Sequence, residues 1–281
     1  EYHEDFSRRA DPGAEWAPAS LTGGYDERMI QRTYDLLIVG AGPAGLSAAI
    51  AAAEHGLDYL VLDKGGLVDG IFRFPAHMVF FTTPELLEIG GLPFVTPYDK
   101  PTRLEALKYY RRVADTYALK IAFHEHVVGV RPGPGDSSAD AFAVETRSRT
   151  GQTSLRTCRA VVMATGYYDH PNRLGIPGED LPHVSHYYTE AHPYYRRQVA
   201  VVGGKNSAAE SALDLYRAGA HVTLVHRGAR LGDSIKYLGE TRHRQPDCRR
   251  LHSGLVRHAG AGHHAGLPAG RPTGPTARAA C

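Results

Sequence analysis

Residues 34–50 read YDLLIVGAGPAGLSAAI, and the order of residue types in this stretch decides the fold. Tyr34 to Val39 is a nearly continuous apolar run, the pattern of a parallel strand buried on both faces. Gly40, Gly42 and Gly45 follow at the GxGxxG spacing, and an Ala-rich run up to Gly56 predicts a helix with a glycine stop. The spacing has a chemical reason. Gly40 makes the tight turn, Gly42 lets the backbone approach a pyrophosphate, and Gly45 lets the helix pack on the strand. The helix N-terminus then offers free N–H groups and a positive dipole end to the phosphates. DYLVLD (58–63) predicts a second strand ending at Asp63, where a carboxylate accepts hydrogen bonds from ribose hydroxyls. Strand, glycines, helix, strand and acid in this order predict a dinucleotide site.

The pattern recurs at 198–227, QVAVVGGKNSAAESALDLYRAGAHVTLVHR, with Gly219 as the helix stop. Gly40 to Asp63 spans 23 positions, and so does Gly203 to His226. The second unit therefore carries His226 where the first carries its acid, with Arg227 next and Arg230 close by. Loss of the carboxylate and gain of guanidinium suit a ribose bearing a 2′-phosphate, hence NADPH rather than NADH. Lys205 stands where the second glycine of the fingerprint would be. Its Cβ predicts an altered turn, or its ammonium meets the phosphates as a point charge.

Two dinucleotide sites on one chain predict a hydride relay from NADPH to a flavin and onward. The intervening AFAVETRS and QTSLRTCRAVVMATGYYDHPN predict an antiparallel excursion that returns to the parallel sheet. Ala164, Thr165 and Gly166 close that returning strand, where backbone can come close to the first cofactor. The expected fold class is α/β, with two Rossmann-like units, one for FAD and one for NADPH, on parallel sheets.

Bulk properties exclude other classes. The 281 residues are 42% hydrophobic and 22% charged, and no apolar run is long enough to span a bilayer. The net charge of +2 hides an asymmetry. Residues 239–281 hold seven Arg against one Glu and one Asp, or +5, so residues 1–238 sum to −3. A mildly acidic main part argues against a nucleic-acid binder. Cys158, Cys248 and Cys281 form no CxxC pair, which suits a reducing cytoplasm and neither a disulfide framework nor a metal site.

With these parts located, the chain resembles the two-dinucleotide flavoprotein reductases related to thioredoxin reductase, and specifically the bacillithiol disulfide reductase family. The resemblance runs through DLLIVGAGPAGLSAAI, DKGGLVDGIFRFPAHMVFFTTPELLEIGGLPF, VVMATGYYDHPNRLGIPGEDLPHVSHYYTEAHPYY and VVGGKNSAAESALDLYRAGAHVTLVHRG, over roughly residues 32–237. It implies that Gly40, Gly42, Pro43, Ala44, Gly45, Asp63 and Lys64 belong to the FAD site, with the block Gly70 to Phe81 lining the flavin ring. It implies that Gly203, Gly204, Lys205, Asn206 and Ser207 form the NADPH phosphate turn, and that Arg227 meets the 2′-phosphate. The GGKNSA form of the second turn is typical of the family. The resemblance further implies that the FAD domain lacks its C-terminal half.

The implied activity is hydride transfer from NADPH to FAD and on to a low-molecular-weight disulfide such as bacillithiol disulfide. A homo-oligomer is left open for a full-length form. Family members often carry Cys where this chain has Ala44, so the resemblance names no catalytic thiol. Cys158 reads as a small buried hydrophobe. His77 is a conceivable proton donor to a leaving thiolate, with a packed or solvated role as the alternative. The pairs Tyr167–Tyr168, Tyr187–Tyr188 and Tyr194–Tyr195 read as interdomain packing or as stacking platforms.

Two other readings stay open. One is a flavin monooxygenase, whose linker signature FxGxxxHxxxY is not met by HYYTEAHPYYRRQ. The other is a truncated, non-catalytic product. The domain reading is an extension over 1–32, expected to be disordered, a FAD-binding part over 33–170, a linker over 171–197 and an incomplete NADPH-binding part over 198–237. Residues 238–281 are expected to be a disordered, out-of-frame tail. Residues 239–281 contain no Ile, Phe, Tyr, Trp, Met, Lys or Asn, a composition that buries too little surface to offset ordering entropy. Allowed codons for LGETRHRQPDCRRLHSGLV, read one nucleotide over, give WVKPDIDSRTAGGSIRAWF, which resembles the way the family continues.

Overall fold

A computed structural model of the chain describes residues 30–133 and 141–227. The sequence expectations for residues 1–29, for Arg230, Cys248 and Cys281, and for the tail at 238–281 fall outside the described residues.

The first unit opens with strand β1 (Ile30–Val39), helix α1 (Pro43–Glu54) and strand β2 (Tyr59–Asp63). Helix α2 (Asp69–Phe72) and helix α3 (Arg103–Thr116) follow, then β3 (Ile121–Phe123), β4 (Glu125–Pro132), β5 (Phe142–Ser148) and β6 (Thr153–Met163). These strands form one six-stranded sheet in the order β3-β2-β1-β6-β5-β4. β3, β2, β1 and β6 run parallel, with Leu37 beside both Leu60 and Val161. β4, β5 and β6 are antiparallel. The excursion read from the sequence is therefore the β4–β5 hairpin, and β6 is the returning strand.

β1 sits between two parallel neighbours, so both of its faces are covered. Leu37 and Ile38 are fully buried on opposite faces, as are Val61 and Leu62 next door, which accounts for the unbroken apolar run. One boundary differs from the sequence reading. β1 already runs from Ile30, paired with Leu155, so residues 30–32 of the expected extension are strand. Gln31, Arg32 and Thr33 give no apolar signal; the Thr33 hydroxyl instead bonds the Thr157 hydroxyl at 2.7 Å across the sheet.

Helix α3 shows why its segment folds. Thr102 and Glu105 make a reciprocal capping box at its start. Ala106, Tyr109, Tyr110 and Val113, spaced at the helical repeat, face the core beside Leu46 and Ile50 of α1. Tyr109 stacks on Phe94 at 4.4 Å and donates to the Leu92 carbonyl, while Tyr110 donates to the Leu87 carbonyl. The long connection at 84–94 is thus pinned to α3. In the antiparallel strands, Arg156 is buried and paired with Glu125 at 2.7 Å and the Thr146 hydroxyl at 2.9 Å, so its charge is met inside.

The second unit consists of β7 (Gln198–Val202), α4 (Asn206–Arg217) and β8 (His221–Val225). β7 and β8 pair in parallel as a separate two-stranded sheet among the described residues. Ala212, Leu213 and Leu215 bury one side of α4, and Ala191, Leu215 and Ala220 form a small cluster beneath it. No described helix is long and apolar enough to cross a membrane.

Candidate functional site

The first turn is as tight as its glycines require. A Cβ on Gly40 would stand 2.4 Å from the Ala164 carbonyl oxygen, and Gly40 has φ +111°. A Cβ on Gly45 would stand 1.8 Å from the Gly40 carbonyl oxygen. At Gly42, the N-cap of α1, the same construction meets nothing within 4 Å. Two glycines are therefore demanded by packing, and the middle one faces open space at a helix N-terminus. That is the cradle a pyrophosphate fits, and the chemistry of this turn suits FAD. Pro43 opens the helix, where its missing N–H costs nothing. Ala44 lies exposed on the first helical turn, and Ala164 is the residue against which Gly40 packs. Thr165 and Gly166 follow it, exposed, with Gly166 at φ +65°.

Asp63 has a role that spacing did not reveal. One carboxylate oxygen accepts the Ala41 amide at 2.6 Å and the other the Gly65 amide at 2.7 Å. The acid thus ties the glycine turn to the loop leaving β2, and only its remaining lone pairs are left for a ribose. Lys64 does not stand free either: its ammonium pairs with Asp169 at 2.6 Å.

Segment 70–81 runs past this edge. Phe74 packs edge-on against Phe80 and Tyr168, at 6.3 and 5.0 Å between ring centroids. His77 is exposed on this segment. Of the tyrosines, Tyr168, Tyr187 and Tyr188 serve packing. Tyr187 donates to the Tyr168 carbonyl at 2.7 Å, and Tyr188 donates to the Asp214 carboxylate. Desolvation and that carboxylate both push the Tyr188 phenol well above its usual range. Tyr167 instead is 90% exposed. Cys158 is fully buried, and desolvation pushes its thiol up to about 11, so it carries no thiolate at neutral pH.

The second turn follows the same plan with other fillings. Gly203, at φ +153°, would bring a Cβ to 2.8 Å from the Ala208 side chain. Ala208 holds the register of Gly45, a substitution that a G-x-x-x-x-A search of the sequence finds. Lys205 is the exposed N-cap of α4 with φ −112°, an ordinary extended backbone that accommodates its Cβ. Asn206 and Ser207 open the helix. The His226 ring lies over Gly204, whose Cβ would fall 2.0 Å from it, so the imidazole covers the second turn. Arg227 is exposed just past β8. Exposed Lys205 and Arg227 at the carboxyl ends of β7 and β8 suit the phosphates of NADPH.

Set against known proteins, the family described as Pyridine nucleotide-disulphide oxidoreductase matches residues 37–242. Bacilliredoxin reductase Bdr of Bacillus subtilis (strain 168) is 44% identical over 200 residues, covering 71% of this chain and 59% of that protein. The structure of bacillithiol disulfide reductase Bdr from Bacillus cereus is similar with a TM-score of 0.69 at 40% identity, over 75% of this chain and 65% of that one. A flavin-containing monooxygenase from Stenotrophomonas maltophilia shares the fold, with a TM-score of 0.58 at 23% identity over 71% of this chain and 59% of that one. The chain thus spans less than two thirds of the length of these relatives.

Proposed function

We propose a function from one premise: the chain belongs to the pyridine nucleotide-disulphide oxidoreductase family. The chain carries the openings of both nucleotide sites of an NADPH-dependent FAD reductase whose electrons go to a low-molecular-weight disulfide, with bacillithiol disulfide as the leading substrate. The observation that carries this reading is the pair of strand–turn–helix–strand units, the first open at Gly42 and the second bearing Lys205 and Arg227. The relatives named bacilliredoxin reductase and bacillithiol disulfide reductase support the choice of substrate. Cysteine usage supports a reducing cytoplasm as the place of action.

FAD, when bound, supplies hydride acceptance and electron transfer to the disulfide. Gly40, Gly42, Pro43, Ala44 and Gly45 hold its pyrophosphate at the start of α1, with Ala164, Thr165 and Gly166 closing the far side. Asp63 keeps the turn in shape and offers its spare lone pairs to the ribose. Gly203, Gly204, Lys205, Asn206 and Ser207 receive the phosphates of NADPH, and Arg227 reads the 2′-phosphate. Ala44 and buried Cys158 leave no reactive thiol among the described residues. The substrate disulfide therefore takes its electrons without one of them, and His77 is available to protonate the leaving thiolate.

Anaerobic spectroscopy of the FAD-loaded protein tests this reading. NADPH should bleach the flavin faster than NADH, and bacillithiol disulfide should restore the colour without oxygen. Recovery only with oxygen would favour the monooxygenase, and absence of FAD uptake would remove the assignment. Arg227→Ala should raise the apparent Kd for NADPH by about tenfold, the loss of one charge-assisted contact, and leave NADH unchanged.

A further inference from the structure

Beside the first turn three segments meet in an ionic cluster. Lys64 follows β2, Asp69 and Arg73 lie on and just after α2, and Asp169 stands on the chain leaving β6. One Asp169 oxygen pairs with the Lys64 ammonium at 2.6 Å and the other with the Arg73 guanidinium. Arg73 also reaches Asp69 at 2.8 Å. The Asp169 side chain is 23% exposed while Lys64 and Arg73 are 45% and 37% exposed, so the carboxylate is half-buried and its cations reach it from the solvent side. Burial disfavours its charge, but the ammonium of Lys64 and the guanidinium of Arg73 outweigh that, holding the carboxyl below its usual range. Two cations and two anions cancel. Neutralising Asp169 leaves an excess positive charge and frees the end of β2 from the chain leaving β6.

The residue before Asp169 extends the contact. The Tyr168 ring lies edge-on to Phe74 and 5.7 Å from the Arg73 guanidinium, and its carbonyl accepts the Tyr187 hydroxyl. Tyr168 and Tyr187 rings also meet at 5.1 Å. A second tie joins the same regions: the Ala76 amide donates to the Thr189 carbonyl at 3.0 Å. Segment 70–81 is thus bound to linker residues 187–189 through Tyr168 and directly.

We propose that Asp169 is a positioning residue for the first dinucleotide site. It locks Lys64 and Arg73 across the carboxyl edge of the sheet and, with Tyr168, makes the placement of segment 70–81 follow that of the linker. The inference rests on the reading of that site as the FAD site. It assigns to Asp169 the linkage between the segment proposed to line the flavin and the connection to the NADPH unit.

Hydrogen exchange on the protein without cofactor and FAD titration with it test the role together. Asp169→Asn should speed exchange about tenfold both in 69–81 and in 185–189, weaken FAD binding about tenfold and alter the visible flavin spectrum. Asp169→Glu, which keeps the charge, should recover part of each effect. Asp180→Asn, which breaks the exposed Arg173–Asp180 pair, should change nothing. Tyr187→Phe removes only a linker hydroxyl and should still speed exchange in 69–81 several-fold; it serves if Asp169→Asn does not fold. Exchange unchanged in 69–81 for either variant, or changed in one segment alone, would overturn the linkage. A parent protein that takes up no FAD would remove the cofactor reading, while the exchange results would still decide whether Asp169 joins the two segments.

Discussion

The two glycine turns follow one local plan at one spacing, yet the structure fills them differently. In the first, Gly45 packs on the Gly40 carbonyl and Asp63 accepts two backbone amides, so the turn is braced from outside by the next strand. In the second, Ala208 takes the place of Gly45 and the His226 ring covers Gly204. Burial differs as well. β1 lies between two parallel neighbours, whereas β7 has only β8 beside it among the described residues, and Val202 is 57% exposed. A shared motif fixes the course of the backbone. What braces it depends on the strands placed around it.

The largest break in this comparison is expected at Gly45. Gly45→Ala puts a Cβ onto a backbone carbonyl that cannot step aside, and should cost about 3 kcal/mol in denaturant unfolding of the first unit. The matching change in the second turn, Ala208→Gly, should cost far less, as given below. Next comes Asp63→Ala, which leaves the Ala41 and Gly65 amides without their anionic acceptor and should cost about 2 kcal/mol. Faster amide exchange at those two residues would locate the loss; unchanged exchange would show that Asp63 does not brace the turn.

Acid–base behaviour should also separate the units. Glu210 on α4 is pushed up to about 7 by desolvation and then by the nearby Asp214 carboxylate. Between its ordinary carboxyl range and pH 7 the unfolded chain is ionised at this residue while the folded chain keeps the proton. Stability of the second unit should therefore fall as pH rises through that window, by about 1 kcal/mol for a half-buried group partly screened by solvent. Glu210→Gln should remove the slope, seen as a pH-independent melting of α4. Asp169 in the first unit has the opposite sign: its carboxyl is held low, so its contribution is full at neutral pH and is lost as pH falls through the lowered value. The smallest effect is Ala208→Gly, about 0.5 kcal/mol of helix propensity in the first turn of α4.

Much of this was legible in the chain itself. Gly40, Gly45 and Gly203 were readable because a turn that admits no Cβ leaves a glycine at a fixed offset. Strands β1, β2 and β6 and the helices after both turns were readable because burial on two faces writes an unbroken apolar run and burial on one helical side a periodic one. The start of β1 at Ile30 was not readable, since polar residues there pair through the backbone. Nor was the bracing by Asp63, the cover of Gly204 by His226, or the joining of Lys64, Arg73 and Asp169. Asp63 and Gly65 are neighbours, but Lys64 and Asp169 are far apart in sequence, and Tyr168 meets Phe74 only because β6 returns beside β1. Local sterics and hydrophobic periodicity act between near neighbours, so the sequence by itself determined the two glycine turns. Charge pairing and ring packing act between atoms that only the completed sheet brings together, so the tertiary structure alone decided which side chains brace those turns.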